Sequence, residues 1–145
     1  MKQEKKEAKS ENTITVIGKR KTSIAKATIK KGTGKILINH RPPEILNFFK
    51  KLTILEPIMI AQDILKTDTI NFDIKVTATG GGVESQAQAA RLAIARALVA
   101  ATKNEELKKA FLHYDRTLLV ADVRRKEQRK PNDSRARAAR QKSYR

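Results

Sequence analysis

The chain has 145 residues, 32 lysines and arginines against 15 acids, a formal net charge of +17 and no cysteine. That length supports one modest domain with a core of its own. Disulfides and thiolate chemistry are excluded, which fits a reducing compartment, and no apolar run approaches the ~18 residues of a membrane span.

Residues 1–12 carry four bases and three acids and lack the apolar stretch of a secretory signal. They are expected to be a charged, disordered leader. The body follows over 13–123. Residues 13–18 predict a strand with Ile14 and Val16 inward, and residues 22–30 a second, with Ala25, Ala27 and Ile29 on one face and Lys26, Thr28 and Lys30 on the other. Lys31-Gly32-Thr33-Gly34 is a turn signal, after which residues 35–39 are expected to pair back as a third strand. Pro42-Pro43-Glu44 favours a helix start, and short helices are expected over 43–51 and 56–65.

Ile70, Phe72, Ile74, Val76 and Ala78 alternate with polar residues, so residues 70–79 predict a strand with one wet face. One wet face means an antiparallel sheet with helices on one side only. Gly80-Gly81-Gly82 breaks this strand. Residues 84–101 then predict a central, alanine-rich helix. Asn104 is placed to cap another helix, with Leu107, Ala110, Phe111 and Tyr114 as its apolar stripe. Residues 115–123 are the last with enough apolar content to dock.

The tail is different in kind. Residues 124–145 carry ten bases against two acids, net +8, and no Ile, Leu, Val, Met, Phe or Trp. Such a segment lacks the apolar surface that offsets ordering entropy. It is expected to stay disordered alone or to be ordered by a polyanion, and nucleic acid is the rigid polyanion of the cell. Aromatic side chains are too few for a base-stacking platform, so phosphate and shape recognition fits better.

Two shorter motifs are ambiguous. Lys19-Arg20-Lys21 reads either as a phosphate grip or as a solvated charge cluster. The glycine triplet precedes a helix N-terminus, where anions are favoured. It lacks the Gly-Lys-Ser/Thr of a phosphate-binding loop and equally reads as a tight strand-to-helix turn. His40 and His113 have no metal-ligand spacing, and no catalytic constellation stands out. The chain is expected to be neither an enzyme nor a cofactor carrier.

Three blocks carry a family resemblance. Gly18-Lys19-Arg20-Lys21-Thr22-Ser23-Ile24-Ala25 is the first. The second runs from Gly80-Gly81-Gly82-Val83-Glu84-Ser85-Gln86 through Leu98. The third is Tyr114-Asp115-Arg116-Thr117-Leu118-Leu119 together with the terminal Gln141-Lys142-Ser143-Tyr144-Arg145. From residue 13 onward the chain resembles the universal family of small-subunit ribosomal protein nine, in its archaeal and eukaryotic branch. The resemblance implies an α+β fold: a four-stranded sheet with helices packed on one face, similar to the second domain of ribosomal protein five, plus a long extended basic tail. It implies a cytoplasmic place in the head of the small ribosomal subunit, with small-subunit ribosomal RNA and neighbouring ribosomal proteins as partners.

Position by position, the resemblance assigns Lys19, Arg20, Lys21, Arg124, Arg125, Lys126, Arg129, Lys130, Arg135, Arg137 and Arg140 to ribosomal RNA. It assigns Lys142, Ser143, Tyr144 and Arg145 to the anticodon stem-loop of peptidyl-site transfer RNA. Val123 departs from the proline common in the family after Asp122, and the tail lacks the glycines relatives often carry.

Overall fold

The structure, a computed structural model, describes residues 13–66, 71–129 and 136. The leader expected over 1–12 lies outside the described residues, as does Ile70. Four strands form one sheet: β1 (Ile14–Arg20), β2 (Ser23–Lys31), β3 (Ile36–Ile38) and β4 (Phe72–Thr79). Three helices cover one of its faces: α1 (Phe48–Leu65), α2 (Val83–Thr102) and α3 (Glu105–Tyr114).

Alternation builds the sheet as expected. Ala25, Ala27 and Ile29 of β2 and Ile74, Val76 and Ala78 of β4 are buried, while Lys26, Lys75 and Thr77 between them are exposed. The order is β1-β2-β4-β3. β1 and β2 form a hairpin through Lys21-Thr22, with Lys21 in the left-handed region at φ 52. β2 runs antiparallel to β4.

The third strand corrects the sequence reading twice. β3 does not pair back on β2; it runs parallel to β4, with Ile36 opposite Ile74 and Ile38 opposite Val76. The sheet is therefore mixed rather than antiparallel throughout. The loop over 32–35 is seized by Asp73, whose Oδ1 accepts from the Thr33 and Lys35 amides at 2.8 and 3.0 Å. That carboxylate lies on β4, and it steers the chain past β2 to the far side of β4.

The helical region also differs. The two helices expected over 43–51 and 56–65 are a 3-10 turn at Pro43–Ile45 followed by one 18-residue helix. Pro57 lies inside α1 and has no N–H to give the Thr53 carbonyl. Burial outweighs that loss, because Ile54, Pro57, Ile58 and Ala61 face the core.

α2 is the centre of the fold. Nine of its residues are buried, six of them alanine. Small side chains let its backbone lie close to the sheet. A Cβ on Gly18 would fall 2.2 Å from the Ala89 carbonyl oxygen and 2.7 Å from the Ala93 amide nitrogen, so only glycine fits where β1 passes under α2. α3 is capped by Asn104, whose side chain accepts from the Glu106 amide at 2.8 Å. Leu107 and Phe111 close the core from that side. Tyr114, expected on the same apolar stripe, is 61% exposed: the helix ends there and its ring lies outside the core.

Candidate nucleic-acid interface

The described part of the tail leaves the body through a clasp of charged groups. Its floor is α2, its walls are the end of β1 and the segment after α3. A cleft of about 370 Å³ lies here, lined by Lys19, Arg20, Gln88, Arg91, Asp122 and Arg124 among others. Arg20 donates from Nη1 to Asp122 Oδ2 and from Nε to Gln88 Oε1 at 2.7 Å. Asp122 also accepts from the Arg124 amide at 2.8 Å and from the Arg124 guanidinium at 2.7 Å. These Arg124 donors, with the charge of Arg20, hold the Asp122 carboxyl far below the usual carboxylate range.

Arg91 fastens the segment just before. Its Nε reaches Glu56 of α1 at 2.5 Å and its Nη1 reaches Asp115 at 2.9 Å and Thr117 Oγ1 at 3.2 Å. Burial opposes ionisation of Asp115, yet the donors from Thr117 and the Arg91 guanidinium outweigh it, and its carboxyl lies below the ordinary value. Arg96 completes the clasp, donating to the Leu119 carbonyl at 2.8 Å and the Ile17 carbonyl at 2.9 Å. Residues 115–122 are thus pinned by three arginines from α2 and β1, and Leu118 is buried beneath them.

The basic residues singled out in the sequence divide accordingly. Lys19 and Lys21 are exposed at the β1–β2 hairpin, whereas Arg20 between them turns inward onto Asp122 and Gln88. Lys19 and Arg20 end the strand, and only Lys21 belongs to the turn. Arg124, Arg125, Lys126 and Arg129 are exposed, continuing outward from the clasp. Lys130, Arg135, Arg137, Arg140, Lys142, Ser143, Tyr144 and Arg145 lie outside the described residues.

The glycine triplet is a strand-to-helix turn packed on the hairpin. Gly80 and Gly81 take φ 73 and 62. Ser23 Oγ and Gln86 Nε2 both donate to the Gly80 carbonyl, at 2.9 and 3.0 Å. A Cβ on Gly81 would strike Ser23 Oγ at 2.2 Å. Gln86 therefore ties the start of α2 to this turn. Among the described residues no group of side chains could hold a metal ion, and no helix is long and apolar enough to cross a membrane.

The sequence reading missed Arg91 and Arg96. They fall in an alanine-rich helix, where periodicity marks them only as polar breaks. Asp122 gave no signal either, since its partners lie in other elements.

With this geometry in hand, the chain matches the model of the family described as ribosomal protein S9/S16 over residues 18–145. The chain belongs to that family. The match includes the end of β1, the turn into β2, the glycine turn and the tail.

Individual relatives agree along nearly the full length. The chain is 46% identical over 135 residues to small ribosomal subunit protein uS9 of Methanococcus maripaludis strain C7, covering 91% of this chain and 98% of that protein. It is 46% identical to the protein of the same name from Methanococcus vannielii, with the same coverage. The family is thus represented here in its archaeal form.

Proposed function

We propose that the chain serves translation as a structural constituent of the small ribosomal subunit, where its body binds ribosomal RNA in the head beside neighbouring ribosomal proteins and its tail meets peptidyl-site transfer RNA. Family membership over residues 18–145 is the observation that carries the reading. The charge distribution supports it, because net +8 is concentrated in residues 124–145.

The work divides along the chain. Lys19, Arg20 and Lys21 face the ribosomal RNA from the hairpin, with Arg20 acting through the clasp it forms with Asp122. Arg124, Arg125, Lys126, Arg129, Lys130, Arg135, Arg137 and Arg140 follow RNA phosphates away from the body. Lys142, Ser143, Tyr144 and Arg145 touch the anticodon stem-loop. Arg145 leads this group, since a guanidinium can fork onto two phosphate oxygens. The clasp supports such a tail mechanically: a segment that must reach a distant RNA needs one rigid point of departure.

The test is peptidyl-site transfer-RNA affinity of small subunits carrying the full chain against subunits carrying a chain that ends at Gln141, over a salt series. A weaker affinity with a shallower salt slope is expected for the shortened chain. Equal affinity and slope would remove the transfer-RNA role and leave the ribosomal-RNA role standing.

A further inference from the structure

Among the described residues nothing covers the face of the sheet turned away from the helices, and its charge follows a pattern that single strands do not reveal. Lys19 of β1 stands opposite Ile24 of β2, and Lys26 is two residues further along β2. Lys26 stands opposite Thr77 of β4, and Lys75 is two residues further in the same direction. Lys75 stands opposite Leu37 of β3, and Lys35 is two residues further again. The ladder extends to that point, because the Ile74 amide donates to the Lys35 carbonyl at 2.8 Å. All four lysines are exposed. Each step along these four moves one strand across and two residues along; Lys30, also exposed on β2, lies off this line opposite Asp73. With strands about 4.8 Å apart and about 3.4 Å per residue, each step is about 8 Å and the diagonal spans about 25 Å.

The surroundings favour one kind of ligand. Asp73 is the one acid on the strands of this face, and its Oδ1 is already engaged by the Thr33 and Lys35 amides, Lys35 first among the groups that hold its carboxyl below the ordinary value. Thr15, Thr28, Thr77 and Thr79 add hydroxyls between the lysines. Of the apolar residues here, Ile17 lies on one side of that diagonal and Ile24 and Leu37 on the other. Among the described residues no aromatic ring stands on this face, so bases find no stacking platform there. Lys19 also borders the cleft at the tail's exit.

We infer that Lys19, Lys26, Lys75 and Lys35 form a diagonal track for one phosphodiester backbone of ribosomal RNA, running from the tail's exit across the open face to the far edge strand. This rests on the reading that the body binds RNA, and it extends from Lys19 of the hairpin motif onto Lys26, Lys75 and Lys35, which belong to none of the basic motifs of the sequence. The track recognises backbone charge and shape rather than base identity. Lysine suits it, since a mobile ammonium on a long stem tolerates variation in phosphate position.

The test uses the full chain and a transcript of the small-subunit head RNA. The triple variant K26Q/K35Q/K75Q is compared with K103Q/K108Q/K109Q, which removes the same charge from the helical side. Each phosphate contact contributes about 0.7–0.9 to the slope of log K against log salt, so the track variant is expected to lose about 2 in slope and the control far less. Replacing the same three track lysines with arginine is expected to keep the slope. Acetylation footprinting of the unsubstituted chain gives a check independent of folding: Lys26, Lys35 and Lys75 are expected to be protected by RNA while Lys108 and Lys109 react. A track variant indistinguishable from the control, or footprints equal on both sides, would overturn the track and leave an acidic protein segment as the better occupant. Absence of salt-dependent binding by the unsubstituted chain would instead sink the RNA reading itself, and the track with it.

Discussion

Arg20 and Asp122, 102 positions apart, meet as a direct ion pair with 20% and 12% of their side chains exposed. The pair joins the first strand to the point where the tail departs. Asp122 simultaneously holds Arg124, so one carboxylate fixes both the body and the first tail residue. For a pair this enclosed, removing one partner strands the other.

Asp122→Asn is therefore expected to loosen the exit segment, read as faster amide exchange over residues 119–124. Its pH dependence has a definite sign. The folded carboxyl lies well below the ordinary value of 3.8, so the unfolded chain takes up the proton first. The contribution is complete above about pH 5 and is lost as pH falls through 3.8 toward the folded value. Urea unfolding from near pH 7 to about pH 2 should show a shallower acid loss in the variant. Parallel curves would remove Asp122 from the acid response.

The close passage of Gly18 beneath α2 makes a sharp stability prediction. A methyl group there would meet backbone atoms of Ala89 and Ala93, which cannot rotate away. Gly18→Ala is expected to cost about 1–3 kcal/mol or more. Gly82, where a Cβ would meet nothing within 4 Å, is the control, and Gly82→Ala should cost under about 1 kcal/mol. Equal denaturation midpoints for the two variants would refute the close approach.

Asn39 and His40 form the turn that ends β3, both in the left-handed region at φ 47 and 65. Ile38 and Arg41 exchange backbone hydrogen bonds across it at 2.8 and 2.9 Å. Asn39 then extends the ladder with its side chain, accepting from the Ala78 amide at 2.8 Å and donating to the Ala78 carbonyl at 3.2 Å. Asn39→Ala should destabilise the chain by about 1–2 kcal/mol. His40→Gly should stabilise it by up to about 1 kcal/mol, since glycine takes positive φ without steric cost. Opposite signs in thermal unfolding are the result to look for.

Arg91 bridges Glu56 of α1 to Asp115 after α3. Arg91→Met keeps much of the stem's packing and leaves both acids without their cation. A loss of about 1–2 kcal/mol is expected near neutral pH, the partial exposure of the site tempering a larger effect. Part of that loss should vanish toward about pH 3, because the Asp115 carboxyl owes some of its lowered value to Arg91. A pH-independent difference would point to packing alone.

Much of the body could be read from local pattern. β2 and β4 alternate over eight or nine residues, α2 shows as a contiguous run of alanines and other apolar residues, and α3 carries its stripe and its Asn104 cap in contiguous sequence. β3 escaped because three residues hold no information about which neighbour they join; Asp73, some 38 positions away, decides it. α1 was divided in two because a proline argues locally against a helix, while the burial that overrides it depends on α2 and the sheet. The site splits in the same way. Exposed bases such as Lys21 and Arg125 stood out as charge, but the inward turn of Arg20 required knowing Asp122's position. The lysine diagonal required the register of all four strands, which composition cannot supply.

Arg96 has a consequence for the molecule before it finds its partners. β1 is an edge strand seven residues long, the kind of border along which a second copy could zip its own strand. The Arg96 guanidinium occupies the Ile17 carbonyl midway along that border and ties it to Leu119. An intruding strand would have to break both bonds and lift away the segment beneath which Leu118 is buried. The same clasp that holds the start of the tail therefore also stands in the way of a second strand along β1.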